Sequence, residues 1–127
     1  MQVLLDAQEM SVPTAKDLRQ CLEQVRQQQF SELWLIAGDD GPSLTLFVNE
    51  AYAWLMYLQN PDDSGFHSLN LSYHGPAELR MKFQLSNGQI DEYPVAWTLA
   101  LEDAFDACEY FMTTQGGRSP AITWEDS

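Results

Sequence analysis

Positive charge is scarce in this sequence. Six lysines and arginines stand against nineteen aspartates and glutamates, a formal net charge of −13. Such a surface repels nucleic acid and anionic membranes, which argues against both as partners. Cysteine is scarce too, with Cys21 and Cys108 alone. There is no CxxC pair and no Cys/His cluster at zinc spacing, so no metal is expected. Both cysteines fall on apolar faces of predicted helices, where they read as small buried hydrophobes. A disulfide between the two helices is the alternative, and a reducing compartment disfavours it. No apolar run reaches about 18 residues, which excludes a helical membrane span. The first ten residues, MQVLLDAQEM, lack the basic start and cleavable apolar core of a signal peptide. A cytoplasmic chain is therefore expected. GDDGPS at 38–43 matches neither GxGxxG nor GxxxxGK, so no phosphate cradle is expected. Internal repeats and low-complexity segments are also missing.

What is present is enough apolar residue, 45% of 127, to fill the core of a single domain spanning 1–127. The most strongly patterned stretch runs from Leu101 to Trp124. Leu101, Ala104, Phe105, Cys108, Phe111 and Met112 recur at steps of three and four, the period of an amphipathic helix. Glu102, Asp103, Asp106 and Glu109 line its other side. Gly116 and Gly117 are expected to supply the left-handed conformations that end the helix. Pro120 blocks a restart, and Ala121 to Trp124 can extend as a strand.

Upstream, Val3 to Leu5 can form a short strand. Thr14 is a candidate N-cap, with Asp17 three residues on, for a helix whose apolar stripe is Leu18, Cys21, Leu22 and Val25. Arg19, Glu23 and Arg26 are expected to face solvent. Leu33 to Ala37 is nearly all apolar, as a central strand covered on both faces should be. Leu44 to Asn49 alternates, with Leu44, Leu46 and Val48 on one face and Thr45 and Phe47 on the other. Tyr52 to Leu58 reads as a further strand, with Tyr52, Trp54, Met56 and Leu58 on one face and Ala53, Leu55 and Tyr57 on the other. Helix is the competing reading of that run, and the aromatics and flanking turn signals favour strand. Asn60 to Gly75 is the least regular segment, with a short strand expected around Leu69 and Leu71. In Leu79 to Leu85, Leu79, Met81, Phe83 and Leu85 point inward and Arg80, Lys82 and Gln84 outward. Asn87-Gly88 signals a hairpin. A strict two-residue turn there pairs Phe83 with Glu92 on the core face, which is unfavourable. A one-residue bulge brings Tyr93 and Val95 beside the apolar set instead, and leaves Asp91 or Glu92 near Lys82 and Arg80.

Strands grouped between helices indicate α+β: one antiparallel sheet of about five to seven strands with two main helices packed on one face. The expected order is β-α-β-β-β-(β)-β-β-α-β.

No constellation for catalysis emerges. His67 and His74 flank the irregular segment, near Asp62 and Asp63, and a two-histidine, carboxylate metal site there is one enzymatic reading. Two exposed loop histidines are the plainer one, because a spacing of seven in a loop is no ligand motif. Ser68 and Ser72 lack a nucleophile elbow, and both cysteines are expected to be buried. Adjacent acids (Asp39-Asp40, Asp62-Asp63, Asp91-Glu92, Glu102-Asp103) follow from abundance in so acidic a chain. No catalytic residue, metal or cofactor is assigned, and the chain is read as a non-enzyme.

A helix carrying Phe105 and Phe111-Met112, then TTQGGRSPAITW, resembles the C-terminal signature of the first-numbered Imm family, bacterial immunity proteins that accompany polymorphic and contact-dependent toxins. The matching positions are Phe111, Gly116 or Gly117, Pro120, Ile122 and Trp124. Leu44 to Asn49, Tyr52 to Leu58, Gly65-Phe66 and Leu79 to Pro94 are similar to the earlier part of that family's pattern. The resemblance implies a non-enzymatic inhibitor that binds a cognate toxin domain, frequently a deaminase or nuclease, and it fixes no binding residue. An acidic surface fits this, because toxins acting on nucleic acid present basic grooves. Candidate toxin contacts are the acidic turns Asp39, Asp40, Asp62 and Asp63, with Phe66 and Trp97 as aromatic anchors. Solvated loop charge and core packing are their plainer roles. An acidic adaptor without a toxin partner is a further reading. The oligomeric state and the toxin's identity stay open.

Overall fold

The computed structural model describes all of residues 1–127, and its fold is α+β. In chain order the elements are β1 (Gln2–Leu5), β2 (Gln8–Met10), α1 (Ala15–Val25), β3 (Phe30–Ile36), β4 (Ser43–Asn49), β5 (Tyr52–Leu58) and β6 (Phe66–Leu69). Then come β7 (Arg80–Gln84), β8 (Ile90–Pro94), a 3-10 turn (Val95–Trp97), β9 (Leu99–Ala100), α2 (Leu101–Thr113) and β10 (Thr123–Asp126).

Eight strands form one antiparallel sheet in the order β10-β6-β5-β4-β3-β1-β2, with β9 also paired to β5. Its centre is the meander β3-β4-β5, whose registers pair Leu33 with Leu46 and Leu46 with Leu55. The period-two pattern of these strands sorts their side chains onto two faces. On the near face Val3, Leu33, Leu35, Leu44, Leu46, Val48, Ala53 and Leu55 meet α1 and α2. Leu18, Leu22 and Val25 of α1 and Phe105, Cys108 and Phe111 of α2 are fully enclosed there. Both cysteines are buried and free. Burial raises both thiol pKa values, that of Cys108 strongly.

The far face departs from a two-layer plan. β7 and β8 pair only with each other and lie across the sheet as a separate ribbon. Phe83 packs there on Phe47 and Trp54, with Met56, Met81, Leu85, Tyr93 and Trp97 around them. Against the five to seven strands expected from the sequence, the sheet is seven strands wide with β9 as an eighth beside β5, and the hairpin is a third layer. Alternation shows which side of a strand is apolar, not which strand it bonds to, so a ribbon lying on a sheet and a strand within it read alike. The registers Met81 to Tyr93, Lys82 to Glu92 and Phe83 to Asp91 match the expected bulge. Gly88 has φ +89°, and Leu85 N–H donates to Gln89 O at 2.8 Å around it. Lys82 and Glu92 face each other without an ion pair, and Arg80 reaches the Glu92 carbonyl at 3.2 Å.

Thr14 caps α1 as expected, its hydroxyl accepting from Asp17 N–H at 3.2 Å and donating to the Asp17 carboxylate at 2.7 Å. Three expectations need correction. Gln115 (φ +57°) and Gly116 (φ +116°), not Gly117, turn the chain at the end of α2, closed by Gly116 N–H to Phe111 O at 2.8 Å. A Cβ at Gly116 would stand 2.6 Å from Pro42, so the helix end fits closely on the β3–β4 turn. Arg19 and Arg26 do not simply face solvent. Arg19 bridges to Glu102, to Asp106 at 3.7 Å and to Glu109 at 3.3 Å, while Arg26 bridges to Glu23 at 2.8 Å and to Glu102. Both guanidiniums lie over Phe105, at 5.6 and 4.9 Å from its centroid, so the acidic side of α2 is clamped to α1. Finally, β6 ends at Leu69, and Leu71 is 71% exposed.

No helix is long and apolar enough to cross a membrane.

Candidate interaction surface

Antiparallel succession decides where the acidic turns go. β3, β4 and β5 alternate in direction, so the β3–β4 turn (37–42) and the β5–β6 turn (59–65) emerge at the same end of the sheet. Asp39, Asp40, Asp62 and Asp63 are therefore brought to one end, and all are exposed. Asp63 also shapes its own turn, accepting from Asn60 N–H at 3.0 Å and from the Asn60 amide at 3.3 Å. β10 runs antiparallel to β6 and delivers Asp126 opposite Phe66, with Ser127 N–H donating to Gly65 O at 3.0 Å. Asp126 thus joins the same end. It, Asp39, Asp40, Asp62 and Asp63 form no ion pair; Arg19 and Arg26 are committed to the acids of the helices.

The candidate anchors part company. Phe66 opens β6 on the near face, opposite Tyr57, at the acidic end. Trp97 lies against the far face, stacked on His67 with centroids 3.8 Å apart and 5.2 Å from Trp54. It joins the 3-10 turn to the second core and does not share a surface with Phe66.

His67, expected in an exposed loop, is instead 2% exposed within β6. Its Nδ1 meets Ser127 Oγ at 2.8 Å and its Nε2 meets Glu125 Oε1 at 3.0 Å, so both ring nitrogens are satisfied by residues some sixty positions away. His74 is exposed. No three His, Cys, Asp or Glu side chains gather as metal ligands do. Glu32 is buried on the far face and ties two layers together, accepting from Trp34 Nε1 at 2.6 Å and from Ser86 N–H. Tyr93, nearby, has its hydroxyl pKa raised by burial and further by Asp91 and Glu32.

A cation also sits at the acidic end. Arg118, just past the close-packed Gly116, lies over three rings: Phe66 at 4.3 Å, Tyr57 at 5.8 Å and Trp124 at 5.9 Å from the centroids. Two of the rings are tied by hydrogen bonds. Tyr57 O–H donates to Gly116 O at 2.7 Å, and Trp124 Nε1 donates to Ser119 O at 2.9 Å. Burial raises the Tyr57 hydroxyl pKa, an effect opposed by the Arg118 charge. Beside the guanidinium opens a cleft of about 740 Å³ between Pro42, Gln59, Phe66 and residues 115–118. The only sequence signal for this arrangement was a single basic residue in an acidic C-terminal stretch. Compared with known protein families and with curated proteins, the chain matches none in sequence.

Proposed function

We propose that this protein is an immunity protein: it binds a cognate bacterial toxin domain in the cytoplasm and neutralises it by occluding a basic, nucleic-acid-binding groove. The observation that carries the reading is the convergence of Asp39, Asp40, Asp62, Asp63 and Asp126 at one end of the sheet without a balancing ion pair. Five carboxylates gathered at one end of a chain of net charge −13 draw a basic surface over a distance of about a Debye length, roughly 10 Å at 0.1 M salt. The resemblance of the 101–124 stretch to the first-numbered Imm family supports the same reading. So does the rigid three-layer frame, which presents the turns without needing to rearrange. The protein acts by binding, not by chemistry.

Co-expression with the toxin domain encoded beside it is the direct test, and protection of the cell is the expected result. Changing Asp39, Asp40, Asp62 and Asp63 together to Asn should slow association by about tenfold or more at low salt, with a smaller effect on dissociation. Continued killing despite co-expression refutes the pairing. An association rate indifferent to both salt and these substitutions refutes the acidic end as the docking surface.

A further inference from the structure

Resting on the reading of the acidic end just given, we propose that the shelf of Tyr57, Phe66 and Trp124 is the seat for an arginine of the partner, and that Arg118 holds this seat in the free protein. Arg118 forms no ion pair with the acids around it. Its contacts are the faces of aromatic rings, at 4.3 Å in the case of Phe66. A flat guanidinium suits such a shelf better than a compact ammonium. Phe66 and Trp124 are only half-buried, and Arg118 is itself exposed, so the cation can leave without opening the core. Residues paired across antiparallel strands point to the same face. Asp126, opposite Phe66, therefore flanks the shelf on the side where the cation sits. An incoming arginine finds rings beneath it and a carboxylate beside it, next to an open cleft of about 740 Å³ that admits the rest of its chain. Displaced, the exposed Arg118 side chain rotates out into solvent, so exchange trades one guanidinium for another and leaves the frame unchanged.

The test is an NMR titration of the intact protein at low salt with hexa-arginine and hexa-lysine peptides, reading the indole N–H signal of Trp124. Arg118→Ala vacates the seat, and should bind hexa-arginine about three- to tenfold more tightly than the parent protein. Lys16→Ala makes the same change in net charge on the exposed side of α1, and should alter affinity by less than about twofold. Phe66→Leu keeps the apolar volume without the ring, and in combination with Arg118→Ala should abolish the gain. Equal gains for Arg118→Ala and Lys16→Ala, or equal gains for the two peptides, overturn the seat while leaving the acidic end intact. Peptide binding that survives conversion of Asp39, Asp40, Asp62 and Asp63 to Asn overturns the acidic end itself, whatever Arg118→Ala does.

Discussion

Phe83→Ala asks whether the third layer is an integral part of the fold. Phe83 is 1% exposed and is the only fully buried side chain of the β7–β8 ribbon. It packs in one cluster with Phe47 and Trp54 and lies 6.1 Å from the Tyr93 ring. Truncating an enclosed phenylalanine costs about 3–5 kcal/mol, the upper part applying where neighbours cannot collapse into the space. Here Phe47 and Trp54 are stacked at 4.5 Å and fixed in adjacent central strands, so little collapse is available. Two polar straps remain in the variant, from Asn49 Nδ2 to Lys82 O at 2.7 Å and from Ser86 N–H to the Glu32 carboxylate. A loss of about 3–4 kcal/mol is therefore expected. With an unfolding entropy of about 2.1 cal/mol/K per residue over this length, that lowers Tm by about 11–15 °C. Thermal unfolding followed both by far-UV circular dichroism and by tryptophan fluorescence gives the answer, because three of the four tryptophans, Trp34, Trp54 and Trp97, lie on the far face. A fall of less than about 4 °C, or fluorescence changing well before the circular dichroism, refutes the claim that the ribbon and the sheet melt as one unit.

Other consequences can be checked as directly. Burial raises the thiol pKa values of Cys21 and Cys108, so the folded chain keeps protons that the unfolded chain releases near 9.0. Stability should hold below that pH and decline above it, by up to about 1.4 kcal/mol per pH unit for Cys108 alone. Urea unfolding at pH 8 and pH 10 measures this; a Cys21→Ala, Cys108→Ala variant should decline less, and an equal decline refutes the assignment. Ala7 sits at φ +69° in the turn after β1, so Ala7→Gly should stabilise the fold by about 0.5–1 kcal/mol in denaturant titration. A destabilised variant shows that the turn carries no such strain. Glu102→Ala removes the bridges to both Arg19 and Arg26, but Glu102 is 54% exposed, so the loss should be about 1 kcal/mol or less and should vanish at about 1 M salt. A larger, salt-independent loss means the clamp acts through packing over Phe105.

The sequence spoke most clearly where a strict period meets a strict turn. The alternation in Leu44–Asn49 and Tyr52–Leu58 assigned side chains to the correct faces, because successive residues of a strand must point to opposite sides. The bulge expected at Asn87-Gly88 matches the register that brings Tyr93 opposite Met81, although Phe83 then faces Asp91, another acid. Elsewhere the deciding information lay between distant residues. Strand β2 follows a turn of Asp6 and Ala7, which carries no glycine, and is held by paired hydrogen bonds between Asp6 and Glu32. His67 is buried because Ser127 and Glu125 arrive on β10 to satisfy it. The Arg118 shelf draws its rings from β5, β6 and β10, so no local window contains it. The four candidate aspartates were visible as turn residues; that their turns share an end follows from strand direction, which needs the pairing as well as the pattern.

The outermost strand, β10, also bears on how copies of this protein meet. An exposed strand edge offers unpaired backbone groups to any other chain, including another copy of the same protein. β10 places Glu125 and Asp126 along that edge, and the opposite edge, β2, is only three residues long and carries Glu9. Two copies meeting edge to edge at neutral pH set carboxylates against carboxylates, so the sheet resists growing into a fibre of itself. That protection weakens towards the sequence isoelectric point of about 4.1, where the net charge vanishes and the same edges become open to pairing. At neutral pH these edge carboxylates keep one copy's sheet from pairing with another's.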